Sequence, residues 1–107
     1  MKMIVAIIQN ADRNSLADAL QDAKIRYTRL NTTGGFLRQG NTTLLIGVED
    51  QDVQRTLGVI HETCHEREVL HRPGAGALHA DAYVAPVHVL VGGATTFVLD
   101  VDRFQQI

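Results

Sequence analysis

The sequence has no tryptophan, one cysteine and few aromatic residues, which make up 5% of its 107 residues. The lone Cys64 cannot form a disulfide within the chain, so we expect a reducing compartment and predict a cytoplasmic protein. Long hydrophobic runs are missing as well. The apolar run near the start, MIVAII at residues 3–8, is too short for a signal peptide or for crossing a membrane, and we expect no membrane association.

An excess of positive charge is also absent. The chain has 10 Lys and Arg against 12 Asp and Glu, a net charge of −2, and its isoelectric point is near 6.2. Proteins that bind nucleic acids usually carry a basic face, so we do not expect a nucleic-acid polymer as a partner. Hydrophobic residues make up 45% of the sequence, which indicates a folded globule. The length suits a single domain, predicted to span residues 1–107.

Periodicity and turn residues predict an alternation of strands and helices. Strands are predicted at 3–8, 25–32, 41–48, 83–91 and 95–101, helices at 13–24 and within 49–67, and a long connection at 68–82. The order β-α-β-β-α-β with one further strand is typical of the α+β class. It predicts a ferredoxin-like (split βαβ) arrangement, an antiparallel sheet with two helices on one face. Because the strands carry hydrophobic residues on both sides, we expect the bare sheet face to pack on other subunits.

Residues 61–65, HETCH, match the zinc-protease pattern H-E-x-x-H, in which two histidines one helical turn apart hold the metal and the glutamate acts as general base. His71 stands where the longer metzincin pattern has its third ligand. However, Glu68 replaces the glycine of that pattern, and no methionine follows it. The match is therefore limited to the spacing of the histidines.

The apolar residues around this segment favour a different interpretation. Val53, Leu57, Ile60 and Cys64 recur at helical spacing and form one stripe of a helix. The stripe passes between His61 and His65, which then lie on the outer flank. We interpret the segment as the solvated end of an amphipathic helix, and we predict no catalytic residues and no metal site.

Residues 26–47, RYTRLNTTGGFLRQGNTTLLIG, have the composition of an anion-binding segment. The Gly34-Gly35 pair allows backbone N–H groups to turn towards a phosphate. Phe36 follows on a predicted loop, where an exposed aromatic ring could stack on a base. A glycine-rich hairpin whose Phe36 covers the end of the sheet explains the same residues, and composition leaves both interpretations open.

Three stretches, TRLNTTGGFLRQGNTTLLIGVED, IHETCHER and VHVLVGGATTFVLDVDRFQQI, together resemble the PII-like cyclic-di-AMP receptor family of bacteria. The resemblance covers nearly the whole chain. It implies a PII-like ferredoxin-like domain and a homotrimer that binds cyclic di-AMP between its subunits, with no catalysis and no cofactor. It also implies that mobile loops, at about 33–40 and 68–82, pass the bound state to a downstream protein that the sequence does not identify.

Carried onto the matching positions, the resemblance implies ligand contacts from the second strand, the glycine loop, the third strand and the C-terminal block: Arg26, Thr28, Gly35, Phe36, Leu37, Asn41, Gly47, Gly92, Phe97 and Gln106. An arginine can pair with a phosphate through two hydrogen bonds, and amide side chains can bind an adenine edge. Without the resemblance, Gly47 could instead serve to avoid a helix, and Phe97 could be a core or interface residue. Lys24 departs from the small or amide residue that the resemblance implies there.

Two alternatives share the predicted fold. A PII-type sensor would bind ATP or ADP instead of cyclic di-AMP. A metal-binding trimer similar to the CutA family would use Cys64 and the five histidines of the chain. The roles of His71, Arg72 and His79 on the long connection are left open.

Overall fold

The protein is described here from a computed structural model that covers residues 1–30, 40–71 and 86–107, without the side chain of His71. Its strands and helices follow in the order β1, α1, β2, β3, α2, β4, β5, β6. Their bounds are Lys2–Gln9 (β1), Arg13–Asp22 (α1), Thr28–Leu30 (β2), Asn41–Val48 (β3), Val53–Cys64 (α2), Arg67–His71 (β4), Val87–Val91 (β5) and Ala94–Asp100 (β6).

Four strands form one antiparallel sheet in the order β2-β3-β1-β6. Along β1, Ile4, Ala6 and Ile8 are fully or almost fully buried, while the residues between them are partly exposed. Because side chains alternate across a strand, the buried set faces the helices and the other set faces the opposite side. The predicted α+β, ferredoxin-like arrangement is confirmed.

The two helices close the core with residues spaced by one turn. Leu16 and Leu20 of α1 and Ile60 and Cys64 of α2 are buried against the helix-facing side of the sheet. Val53 and Leu57 pack on the same cluster from the side. The stripe predicted for the second helix is confirmed. Full burial of a leucine or isoleucine side chain stabilises the fold by about 1.5–3 kcal/mol.

Helix α1 ends two residues earlier than predicted, because the chain turns at Lys24. This residue has a φ of +60°. Its N–H donates to the carbonyl of Gln21 at 3.0 Å, and the N–H of Ile25 donates to that of Leu20 at 2.9 Å. This pair of bonds is the Schellman helix ending, in which glycine usually occupies the left-handed position. Ile25 is thereby buried.

The predicted connection at 68–82 is wrong over its first residues. Arg67–His71 forms β4, which pairs with β5 in a separate two-stranded antiparallel ribbon. Short strands with few neighbours give a weak local signal, and β4 is recognisable mainly by its pairing with a strand far along the chain. Residues 72–82 lie outside the described part. The predicted strands at 25–32 and 83–91 are confirmed in part, at Thr28–Leu30 and Val87–Val91.

No helix in the described ranges is long and apolar enough to cross a membrane.

Gly58 and Gly93 allow a matched test of how backbone conformation affects the stability of the protein. A Cβ added at Gly58 or at Gly93 would meet no atom of the described residues within 4 Å, but Gly93 has a φ of +93° whereas Gly58 is helical. We expect Gly58→Ala to raise the free energy of unfolding in urea by about 1 kcal/mol. The matched Gly93→Ala should lower it by about 1–2 kcal/mol, since a Cβ is disfavoured at positive φ. Changes of the same sign at both positions would contradict this account.

Candidate functional site

The sheet face turned away from the helices carries several of the predicted ligand residues. The strand register places Thr28 opposite Leu45, Leu45 opposite Val5, and Val5 opposite Phe97. Residues directly opposite one another in antiparallel strands point to the same face. These four side chains therefore form one row across the whole sheet. This uncovered side is called the open face below.

A groove of about 530 Å³ lies at the Met1 end of the open face. Its volume falls within the usual range for small-molecule sites. Side chains from β1, β2 and β3, from the segment just before β2 and from the C-terminal segment line it: Met1, Met3, Arg26, Tyr27, Thr28, Leu45, Gly47, Val101 and Phe104. The structure thus brings the predicted Arg26, Thr28 and Gly47 together. We call these three residues the arginine group.

The groove combines the guanidinium of Arg26 with apolar and aromatic walls. Within residues 1–30, 40–71 and 86–107, Arg26 forms no ion pair, whereas Arg55 and Arg67 are each paired with an aspartate. Tyr27 and Phe104 are 37% and 67% exposed, and both line the groove. An unpaired guanidinium binds an anion, and aromatic faces bind a flat ring. The groove can therefore accommodate a ligand with a phosphate and a base.

Packing among the described residues does not require a glycine at position 47. Gly47 lies exposed on β3, and of the described atoms an added Cβ would meet only the methyl group of Met1, at an ordinary contact distance of 3.9 Å. The residues of β3 that face the helices are Leu44, Ile46 and Val48, so Gly47 is on the other side. Avoidance of a helix therefore does not explain this glycine. A Cβ here would instead occupy the groove.

Asn41, Gly92 and Phe97 lie away from this groove. Asn41 begins β3 opposite Gln9, at the far end of the sheet from Gly47. The N–H of Gly92 donates to Oε1 of Gln9 at 2.8 Å. Phe97 lies on β6, three strands from Thr28, which is about 14 Å at the usual strand spacing. Thr28 and Phe97 therefore lie at opposite edges of the sheet.

The remaining predicted residues are placed differently. Gln106 is exposed near the C-terminus, two residues after Phe104. Gly35, Phe36 and Leu37 lie outside the described residues. Sequence reasoning missed the groove residues Met3, Tyr27 and Phe104. Phe104 is one of only three phenylalanines in the sequence. An aromatic residue among polar neighbours near the C-terminus was the signal that could have identified it as a groove residue.

The HETCH segment ends helix α2, as predicted. His61 lies in the last turn, and His65 is the residue just after the helix. The Nδ1 atom of His65 lies 3.2 Å from the carbonyl oxygens of both His61 and Glu62, so the tautomer protonated there caps the helix end. His71 follows on β4 rather than on this helix. Among the described residues, no group of three or more His, Cys, Asp or Glu side chains is placed to hold a metal ion.

Cys64 belongs to the core and not to a reactive site. It is fully buried, and burial, with a smaller contribution from the charge of Asp12, raises the pKa of its thiol to about 11. The thiolate is the reactive form of cysteine. The native thiol is therefore shielded and almost entirely protonated at neutral pH.

Comparison with known proteins adds two findings. A family model described as cyclic-di-AMP receptor matches residues 1–107. The chain is also similar to a crystal structure of a functionally unknown protein from Pediococcus pentosaceus ATCC 25745. The two chains share 42% sequence identity and superpose with a TM-score of 0.81, over 99% of this chain and 96% of the other.

The state of Cys64 can be tested with a thiol reagent. At pH 8 we expect Ellman's reagent to modify Cys64 slowly in the native protein and rapidly in guanidinium chloride, because both burial and the raised pKa oppose reaction. Ser15→Cys places an exposed thiol on α1 and should react quickly in the native protein. Equally fast modification of both thiols would show that Cys64 is accessible.

Proposed function

Because the chain belongs to the cyclic-di-AMP receptor family, we propose that it is a non-enzymatic signalling receptor whose cyclic-di-AMP site is built on the arginine group. The observation that carries the proposal is the groove itself. It holds Arg26, which forms no ion pair within the described residues, beside a glycine that the packing of those residues does not require. Residues that serve a bound molecule rather than the protein's own packing are expected to show this combination.

The chemistry of the ligand matches these residues. Cyclic di-AMP has two phosphates and two adenines. Arg26 can bind one phosphate through two parallel hydrogen bonds, and the hydroxyl of Thr28 supplies a further donor. The absence of a Cβ at Gly47 lets the ligand approach the strand closely. The predicted Gly35, Phe36 and Leu37 would complete this side of the proposed site. Asn41, at the far end of β3, and Gln106 are amides that can bind adenine edges elsewhere in it.

The separation of Arg26 from Phe97 supports a site between subunits. The arginine group lies near the β2 edge of the sheet, whereas Gly92 and Phe97 belong to the β6 edge. In a ring, one edge of each subunit meets the opposite edge of the next. A homotrimer arranged in this way would place Phe97 of one subunit beside Arg26 of its neighbour. It would also cover apolar side chains of β6, where Phe97, Val98 and Leu99 are 43–50% exposed.

The output of the receptor would pass through the two predicted loops, at about 33–40 and 68–82. A ligand that binds one arrangement of these segments more tightly than another shifts the population towards it. In the proposed role, an unidentified cytoplasmic protein recognises the surface that results. The ligand acts as a signal, so no cofactor or catalytic residue is assigned.

Binding can be measured by calorimetry. The protein should bind cyclic di-AMP in preference to ATP and ADP. Arg26→Ala should weaken binding by about 10–100-fold, since a charge-assisted hydrogen bond stabilises by about 1.5–3 kcal/mol. Arg13→Ala removes an exposed arginine from α1 and should leave affinity unchanged. Absence of binding by the parent protein, or a preference for ATP or ADP, would refute the proposed ligand.

The position of the site between subunits has its own test. Arg26→Ala and Phe97→Ala each damage one side of every proposed site, so each variant alone should bind poorly. Co-expression of the two should produce mixed trimers in which about one quarter of the sites carry both native residues. Titration would then show a fraction of high-affinity sites. If both residues act within one chain, co-expression restores no such sites. Sedimentation measurements check that the trimers form.

A further inference from the structure

Gly92 is held tightly where the β4–β5 ribbon joins the sheet. Its φ is +87°, and an added Cβ would lie 2.5 Å from Nη1 of Arg67 and 2.6 Å from the carbonyl oxygen of His65. Both distances are far below van der Waals contact. In contrast to Gly47, the glycine at position 92 is demanded by the fold. It allows the backbone to pass directly against the guanidinium of Arg67.

Arg67 is itself fixed by a buried aspartate. Its Nη2 lies 2.6 Å from Oδ1 of Asp12 and its Nη1 3.4 Å from Oδ2, while Nη1 also donates to the carbonyl of His65 at 3.2 Å. The side chain of Asp12 is only 3% exposed. A carboxylate so buried needs a partner, and the two-point contact sets the orientation of the guanidinium as well as its position.

This ion pair lies at the base of the ribbon. Arg67 begins β4 and is paired with Val91, the residue before Gly92. Arg67 is itself part of the ribbon's first strand. Its guanidinium also lies against Gly92, where the second strand ends. A change in the position of Arg67 would change the angle at which the ribbon leaves the sheet.

The segment that contains Asp12 is also hydrogen-bonded to the beginning of β3. Between Gln9 and Asp12, the N–H of Asn10 donates to the carbonyl of Gly40 at 2.8 Å, and its side-chain oxygen accepts a hydrogen bond from the hydroxyl of Thr42. Asn41, a proposed ligand residue, stands between these two positions. Residues 9–12 thus contact both Gly92 and the neighbours of Asn41.

We propose that Asp12 and Arg67 are positioning residues of the receptor, which hold Gly92 in place for cyclic di-AMP and make the ribbon respond to the bound ligand. This inference rests on the proposed function, in which Gly92 contacts the ligand. Neither Asp12 nor Arg67 lines the groove. By reciprocity, a contact through which the ligand moves the ribbon must also alter ligand affinity when it is removed.

Affinity is the first measurement. Arg67→Met keeps an unbranched apolar stem but removes the guanidinium, and it should raise the Kd for cyclic di-AMP about tenfold, a typical coupling between sites. Arg67→Lys keeps the charge but not the two-point contact, so its Kd should fall between those of the parent and Arg67→Met. Asp12→Asn combined with Arg67→Met should weaken binding no more than Arg67→Met alone, because the two residues act as a pair.

A fluorescent reporter separates positioning from a general loss of stability. The chain has no tryptophan, and Leu90 on the ribbon is 66% exposed, so Leu90→Trp introduces a single probe. Saturating cyclic di-AMP should shift its emission and anisotropy. The shift should be lost in Arg67→Met even when the ligand is saturating. Thr56→Ala removes a buried hydroxyl on α2 that donates to the carbonyl of Asp52, just before the helix, and this stability control should leave both the Kd and the shift unchanged.

The outcomes are distinguishable. If the parent binds cyclic di-AMP and both arginine variants bind with the parent's Kd, the inference is overturned and the proposed function stands. If Thr56→Ala weakens binding as much as Arg67→Met does, the effect is one of stability and the inference is again overturned. If the parent does not bind cyclic di-AMP, both the proposed function and this inference are refuted. If Arg67→Met does not fold, Arg67→Lys decides in its place, through its Kd and the Leu90→Trp shift.

Discussion

Strand β1 is hydrogen-bonded along its length on both sides, to β3 and to β6, and the positions of the other elements depend on this pairing. The register fixes Val5 between Leu45 and Phe97. Because the helices cover only one side of the sheet, every second residue of each strand faces the open side. Within the arginine group, Thr28 lies on β2, and β3 and β1 separate it from Phe97 on β6. Gly47 lies on β3, so only β1 stands between its strand and β6.

The glycines of the proposed site fall into two physical classes. Gly47 has an ordinary backbone, and of the described atoms an added Cβ would meet only the methyl group of Met1, at 3.9 Å, so packing within the described residues does not require its small size. Gly92 has a positive φ and lies against Arg67 and the carbonyl of His65. The protein's own packing therefore requires a glycine at position 92. Loss of ligand binding on substitution would thus have different meanings at the two positions, a direct steric effect at Gly47 and a displaced ribbon at Gly92.

Much of the fold could be predicted from the sequence because its strongest signals are local. The strand at the apolar run 3–8 and the stripe through Ile60 and Cys64 depend on neighbouring residues alone, and both are confirmed. β4 was missed because its five residues acquire strand geometry by pairing with β5, and local periodicity does not show which distant segment pairs with them. The groove was predicted in part. Arg26, Thr28 and Gly47 were identified through a family resemblance, whereas Phe104 reaches the groove through the path of the C-terminal segment, which periodicity does not describe.

The two arginines Arg26 and Arg67 show why context rather than residue type assigns a role. The guanidinium of Arg67 contacts a nearly buried carboxylate, and this hydrogen bond raises the pKa of Arg67 above its usual value. Its donors to Asp12 and to the carbonyl of His65 are already engaged, so it is poorly suited to bind a further anion. Arg26 forms no ion pair in the described part of the chain and lines an apolar groove. A charge left unpaired beside apolar walls gains most from an anionic ligand, since the same ligand neutralises the charge and covers the walls.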